Sequence, residues 1–310
     1  MMPESRSQRP RFAPVAALAA SLALASLAGC GGEKPPDTSP ARTVLSPEPD
    51  VIRLAGSGAL LPLVRLYGAA CPCSASPSSP RIVVEDSIGS GGGLRAAAEG
   101  AVDVGLISRP LTKVESQLRL VEVPIALDAV LIAAHPDVQV LGVTTHELVA
   151  LYGGDRFTFA DGSPASVLLR DRGESANLAL ATLPGMAGIA AAADRTDPLS
   201  RRRAFPIIYH DDAMIAALAL TPHALGVSSL GLLDASRLPL TVLALDGRRP
   251  SVETIADRSW PLIRRLSLVM RPERAARVRP LIDFIFSEEG RRLAREHGYL
   301  PLAPPPSLAQ

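Results

Sequence analysis

The segment from Arg81 to Pro110 constrains the fold most strongly, because it alternates two apolar strands with a glycine-rich turn and a short helix. The β-branched run Ile82 to Val84 predicts the first strand, and Val102 to Ile107 predicts the second. The glycines of residues 89–93 predict a turn that opens into a helix from Leu94. This order of elements is typical of an α/β fold with mostly parallel strands.

The predicted turn is a candidate anion site, because the first backbone N–H groups of a helix lack carbonyl partners and their dipoles favour negative charge. Ser90, beside Gly91, adds a hydroxyl donor. Two nucleotide-binding motifs do not fit. A P-loop needs Lys and then Ser or Thr after its last glycine, and a dinucleotide fingerprint needs Gly or Ala at position 94, where the chain has Leu94 and then Arg95. Taken alone, the sequence of the turn is equally well explained if its glycines only allow the chain to bend and bind nothing.

Two further polar turns follow predicted strands in the same way. One consists of Ser57, Gly58 and Ala59 and comes after the strand Val51 to Leu54. The other is the segment Arg170 to Asn177, which comes after a short apolar strand. Because ligands collect at the carboxyl ends of parallel strands, we expect the three turns to face a single site.

The last of these turns offers two kinds of anion donor. Ser175 is the predicted N-cap of the helix that follows, so its hydroxyl would lie beside the free amides of that helix. Arg170 and Arg172 carry planar guanidinium groups that match an oxyanion with paired hydrogen bonds. The competing interpretation is that these arginines pair with Asp171 and Glu174 on the surface.

The first 29 residues have the pattern of a secretion signal. Three arginines precede an apolar run from Phe12 to Leu27, which is shorter than the roughly 20 residues that cross a bilayer as a helix. The Leu-Ala-Gly-Cys motif that ends at Cys30 resembles the lipobox of bacterial lipoproteins, in which the signal is cut before an acylated cysteine. The resemblance implies lipidation of Cys30, and the proline-rich residues 30–50 are predicted to tether the folded part to the membrane.

Composition argues against several other classes. The 32 basic and 31 acidic side chains nearly balance, and only 4% of residues are aromatic, which disfavours a nucleic-acid partner. The five histidines are scattered, and no Gly-x-Ser-x-Gly or His-Glu-x-x-His motif occurs, so neither catalysis nor a metal or cofactor is expected. Cys71 and Cys73 are separated by one residue, so they are either a strained disulfide or two idle thiols.

Several short motifs occur in one consistent order along the chain. They are Gly56-Ser57, Gly89-Ser90-Gly91, Ser108-Arg109-Pro110-Leu111, Pro124-Ile125-Ala126, Arg170 to Asn177, Asp246-Gly247, Trp260-Pro261-Leu262 and His297-Gly298-Tyr299-Leu300. In this order they resemble the phosphate-type solute-binding proteins of bacterial ABC importers, over roughly residues 51–302.

The resemblance implies the α/β, two-lobe periplasmic-binding-protein fold of class II, with the ligand in a cleft between the lobes. Residues 51–125 and 246–302 are expected to form lobe 1, residues 126–245 lobe 2, and residues 303–310 a C-terminal tail. The apolar run Val121 to Ala134 would be the first crossing between the lobes. The implied ligand-binding residues are Ser57, Gly58, Ala59, Ser90, Gly91, Ser108, Arg109, Arg170, Ser175 and Ala176.

The implied function is that of a monomeric receptor, in the periplasm or cell envelope, that captures an inorganic oxyanion and passes it to the membrane permease of an ABC importer. Phosphate is the expected ligand. One alternative is a degenerate module of the same fold, used for sensing or for molybdate, tungstate or sulfate. A phosphoester hydrolase is the third possibility, and no hydrolase motif favours it.

Overall fold

The computed structural model describes residues 50–74, 79–191 and 205–306, which belong to one compact unit spanning Pro47–Gln310. The predicted signal segment, the lipidation site Cys30, nearly all of the predicted tether and residues 307–310 lie outside the described residues. In the described part, no helix combines the length and apolar character that crossing a membrane requires.

A large mixed sheet and a small parallel pair contain the strands. The sheet consists of β1 Val51–Gly56, β2 Arg81–Ser87, β3 Val104–Ile107, β4 Val121–Ala134, β5 Gly142–Val143, β6 Ser166–Val167, β9 Ala224–Ser229, β10 Thr241–Leu245, β11 Ile263–Met270 and β12 Leu300–Pro301, and the pair consists of β7 Leu169–Arg170 and β8 Ile207–Ile208. The main path is β2-β1-β3-β11-β4-β10-β5. Strand β1 is parallel to β2 and β3, as predicted, whereas β11 runs antiparallel to β3 and β4.

Helices cover the sheet and connect its strands. They are α1 Leu61–Ala70, α2 Gly89–Glu99, α3 Thr145–Gly153, α4 Ser175–Leu180, α5 Ala187–Ala191, α6 Asp211–Leu220, α7 Leu230–Ser236, α8 Val252–Ala256, α9 Ala275–Phe286 and α10 Glu288–Glu296, with short 3-10 turns at 58–60, 72–74, 115–118 and 272–274. Helix α3 begins with a capping box, because Thr144 and Glu147 bond to each other's backbone N–H.

Strand β4 links the two largest apolar clusters of the described residues. Val123 and Ile125, in its first half, pack in a cluster with α1 and α9, whereas Val130 and Ile132 in its second half pack with α3 and α4. A bulge lies beside Pro124, where the register with β11 slips by one residue, because proline has no N–H to offer the ladder. The predicted crossing run is therefore one continuous strand of 14 residues.

One predicted boundary is wrong. Helix α2 begins at Gly89 rather than Leu94, so the predicted glycine turn is instead the first part of the helix. Helix α6 takes His210 as its N-cap, and Asp211 is its first residue.

Cys71 and Cys73 are joined by a disulfide at the C-terminal end of α1. Of the two sequence interpretations, the structure therefore has the bridge and not the idle thiols. The Cys71 side chain is buried in the same apolar cluster as Tyr67, so the bridge fastens the end of α1 to the core.

Candidate functional site

Four serine hydroxyls from four separate segments meet in one cluster, which we call the serine cluster: Ser57, Ser90, Ser108 and Ser175. The hydroxyl of Ser108 is the hub, with Oγ–Oγ distances of 2.7 Å to Ser57, 3.3 Å to Ser90 and 2.8 Å to Ser175. The backbone N–H of Ser108 also donates to Ser90 Oγ at 3.1 Å. Ser57, Ser108 and Ser175 are buried, so the cluster lies away from bulk water.

Each cluster serine stands where a strand ends or a helix begins. Ser57 follows β1 and Ser108 follows β3, two adjacent parallel strands whose carboxyl ends share one edge of the sheet. Ser90 is the second residue of α2, which packs on these strands. Ser175 is the first residue of α4. The predicted N-cap role of Ser175 is wrong, because Glu174 takes that position and the Ser175 hydroxyl bonds across to Ser108 instead.

The cation that touches the serine cluster is Arg264, which the sequence analysis did not identify. Its Nη1 donates to Ser175 Oγ at 2.9 Å, and its Nε donates to Asp128 Oδ2 at 2.9 Å. Asp128 is fully buried in β4 and Arg264 is 5% exposed in β11, in directly opposed positions of the two strands. Burial raises the pKa of the Asp128 carboxyl, and the adjacent Arg264 guanidinium opposes that rise.

Arg170 lies nearby but is occupied by carboxylates. Its Nη2 lies 2.9 Å from Glu174 Oε2 and 3.6 Å from Asp211 Oδ2, and its Nη1 donates to the Ile208 carbonyl at 3.2 Å. The alternative pairing of Arg170 with Glu174 is thus present, although Arg170 is buried and not on the surface. Burial raises the pKa of Glu174, Arg170 opposes the rise, and Asp211 adds to it.

Arg109 is held at the edge of the site by Glu115. Its Nη1 and Nη2 each bind one Glu115 carboxylate oxygen at 2.7 Å, and this contact lowers the pKa of Glu115 to about 2. A Cβ built on Gly91 would lie 3.9 Å from Arg109 Nη2, so these two predicted residues are neighbours.

The remaining predicted residues are Gly58, Ala59 and Ala176. Gly58 faces Asp211, since a Cβ at this glycine would lie 2.6 Å from Asp211 Oδ2. Ala59 and Ala176 are buried beside Gly58 and Ser175 in the chain, and the Ala59 carbonyl accepts a hydrogen bond from the Tyr299 hydroxyl at 3.3 Å. The structure therefore joins the four serines directly and arranges the other predicted residues around them.

One sequence feature could have indicated the Arg264–Asp128 pair. Each residue is a charged side chain in a strand that is mostly apolar, and a charge is buried at low cost only when an opposite charge accompanies it. The pairing itself needs the register of β4 and β11, which are far apart in the chain. The described residues contain no group of three or more His, Cys, Asp or Glu side chains suited to a metal ion.

Comparison with known proteins defines the class. The family model for the PBP superfamily domain matches residues 39–289. The phosphate-binding protein PstS of Borreliella burgdorferi is 24% identical over 223 residues, covering 70% of this chain and 79% of the relative. PstS of Bacillus subtilis is 23% identical over 293 residues, covering 92% of each chain. A crystal structure of a substrate-binding protein with bound phosphate from Clostridium perfringens superposes with a TM-score of 0.69 at 22% identity, covering 82% of this chain and all of that one.

These matches identify a solute-binding protein of the two-lobe periplasmic type, as the resemblance implied. The chain belongs to the PBP superfamily.

Proposed function

We propose that this chain is the extracytoplasmic receptor of an ABC importer and that it binds an inorganic oxyanion, phosphate, at the serine cluster. Lobe 1 would comprise residues 51–125 and 246–302 and lobe 2 residues 126–245, with β4 crossing between them. The protein would act as a monomer, anchored at the periplasmic or outer face of the membrane through lipidated Cys30, and would deliver phosphate to the permease.

The observation that carries this proposal is the serine cluster. Four hydroxyls on four segments converge at Ser108, and the buried guanidinium of Arg264 contacts the Ser175 hydroxyl. Hydroxyl and guanidinium donors to an anion contribute about 1.5–3 kcal/mol each in a dry site. Micromolar binding requires about 8 kcal/mol in total, which about three to six such hydrogen bonds would supply.

Replacing Ser108 with alanine tests the site directly. Because Ser108 is the hub of the cluster, Ser108→Ala is expected to weaken phosphate binding by about ten- to a hundredfold, the loss of one charge-assisted hydrogen bond. The matched control is Ser228→Ala in β9, a buried serine whose hydroxyl has no hydrogen-bond partner among the described residues. Isothermal titration of both variants and the parent protein with phosphate gives the comparison.

The titration also decides the ligand class. Binding of sulfate, molybdate or tungstate in preference to phosphate would keep the oxyanion receptor and change its ligand. If none of the four anions gave heat at millimolar concentration, the proposed function would be wrong. Equal losses in Ser108→Ala and Ser228→Ala would show that the serine cluster is not the binding site.

The carboxyl of Glu174 should make binding dependent on pH. Its side chain lies against Arg170, near Asp211 and within the fields of Arg109 and Arg264, and burial raises its pKa. An anion favours the protonated, neutral carboxyl, so affinity should fall as the pH rises through this raised pKa. Glu174→Gln stays neutral, so at high pH it should bind phosphate more tightly than the parent protein, by roughly tenfold.

Phosphate itself changes its charge with pH, and this changes the measured affinity of both proteins equally. The ratio of the two affinities therefore reports only the effect of Glu174. We expect the ratio of the Glu174→Gln affinity to the parent affinity to approach one at low pH and to increase with pH. A ratio that stayed constant across the range would show that Glu174 does not titrate against the bound anion.

A further inference from the structure

A cavity lined by arginines opens directly from the serine cluster. It has a volume of about 490 Å³, and Ser108 and Ser175 form part of its wall. Four guanidinium groups line it, from Arg109, Arg258, Arg264 and Arg265. We call this space the arginine cavity. Its volume falls within the range of small-molecule sites, and it is far larger than a single phosphoryl group needs.

The charge of the arginine cavity distinguishes it from a second cavity that borders the site. The second cavity, of about 420 Å³, touches Gly58 and is lined by Asp86, Asp211 and Asp212 together with Arg65 and His210. Among the described residues, no carboxylate lines the arginine cavity. The positive charge of the arginine cavity therefore attracts further anionic groups of a ligand bound at the serine cluster, whereas the acidic cavity repels them.

Carboxylates behind the wall only partly neutralise the four arginines. Glu115, Asp128 and Glu122 pair with Arg109, Arg264 and Arg265, respectively. Among the described residues Arg265 bonds to Glu122 through Nη2, and its side chain is 41% exposed. Arg258 is exposed, and among the described residues no carboxylate or hydrogen-bond acceptor holds its side chain. Guanidinium donors thus remain open to a ligand on the cavity side.

We infer that the site accepts a condensed phosphate, with one phosphoryl group at the serine cluster and the next among the guanidinium groups of the arginine cavity. This inference deepens the proposed function and rests on it, since the first phosphoryl group uses the same serines. The second phosphoryl group would meet Arg258 and Arg265, whose planar donors match phosphate oxygens in pairs.

A second anionic group suits this cavity better than a neutral substituent does. A neutral organic group would displace water from Arg258 and Arg265 without supplying acceptors of equal strength, and an unsatisfied polar group is costly once water is removed. A phosphoryl group restores those hydrogen bonds and adds opposite charge. Phosphate monoesters with an uncharged substituent should therefore bind more weakly than pyrophosphate.

The test compares pyrophosphate, inorganic phosphate and glycerol 3-phosphate by isothermal titration of the purified protein. The variant is Arg258→Asn, and the matched control is Arg237→Asn. Both arginines are exposed, both adopt a left-handed backbone that asparagine tolerates, both follow short helices, and Arg237 lies outside the arginine cavity. The two variants therefore lose the same charge in the same backbone setting.

We expect Arg258→Asn to weaken pyrophosphate binding by about tenfold, the effect of one charge-assisted hydrogen bond, and to change phosphate binding by less than about twofold. Arg237→Asn should leave both unchanged. Phosphate binding without pyrophosphate binding would overturn the inference and leave the proposed function intact. Equal losses in the two variants, or glycerol 3-phosphate binding as tightly as pyrophosphate, would also overturn it. If neither phosphate nor pyrophosphate bound, phosphate would be wrong as the ligand of the proposed function, and the inference would fail with it.

Discussion

Replacing Arg264 with methionine is expected to lower the free energy of unfolding by about 3–5 kcal/mol, because it leaves the carboxylate of Asp128 buried without its partner. Asp128 has no exposed surface, and Arg264 is its only ion-pair partner among the described residues. This loss is a large share of the roughly 5–15 kcal/mol that stabilises an ordinary domain. Denaturant unfolding followed by circular dichroism measures it. The same variant should lose phosphate affinity, because Nη1 of Arg264 contacts Ser175.

The next residue of β11 provides the matched control. Arg265 pairs with Glu122, but its side chain is 41% exposed, so Arg265→Met should cost only about 0–1 kcal/mol. Replacing both members of the buried pair with apolar residues, in Asp128→Leu with Arg264→Met, should recover much of the stability lost by the single variant. If Arg264→Met cost no more than Arg265→Met, the buried ion pair would not stabilise the fold.

The stability of Arg264→Met should also depend on pH in a definite direction. Burial already raises the pKa of Asp128 beside Arg264, and without the guanidinium the neutral acid is favoured further. A carboxyl whose pKa is higher in the folded than in the unfolded state stabilises the fold when it is protonated, and this contribution is lost as the pH rises through the folded-state pKa. The variant should therefore be relatively more stable in acid, compared with the parent protein.

Short-range sequence patterns were enough to predict the strands whose position depends on neighbouring residues in the chain. Strands β1, β2 and β3 overlap the predicted apolar runs, because the pattern of apolar and β-branched residues acts within a few positions. The run that became β4 was also recognised, since a long β-branched stretch suits a buried strand. The rule that strand ends share one edge of a sheet was enough to group Ser57, Ser90 and Ser175.

What the sequence analysis missed depends on contacts between distant segments. The Arg264–Asp128 pair joins residues 136 positions apart, and only the strand register brings them together. The start of α2 at Gly89 was missed because glycine is a poor helix former, so a glycine run favours a turn when judged locally. Ser175 was predicted to be a cap because a serine at a helix start usually bonds to the helix backbone. Its actual partner, the Ser108 hydroxyl, is on a distant segment that local rules do not consider.

The glycine run of α2 has a packing explanation that leads to the second large effect. A Cβ on Gly93 would lie 2.6 Å from the Cα of Gly56 and 2.7 Å from the carbonyl oxygen of Ala55, both backbone atoms of β1. Backbone atoms of a buried strand cannot rotate away as a side chain can, so the helix itself would have to move. Gly93→Ala should therefore destabilise the fold by about 1–3 kcal/mol, although alanine is the better helix former by about 1 kcal/mol.

Gly91→Ala in the same helix isolates the packing effect from helix propensity. A Cβ there would meet nothing closer than Arg109 Nη2 at 3.9 Å, an ordinary contact, so this variant should be as stable as the parent protein or more stable by up to about 1 kcal/mol. Denaturant unfolding should thus give changes of opposite sign at two positions one half-turn apart, and a shared sign would contradict the packing explanation.

Because α2 carries Ser90, its displacement in Gly93→Ala should also separate Ser90 from Ser108 and weaken phosphate binding. The glycines would then be required because they allow the helix to approach β1 closely enough to complete the serine cluster.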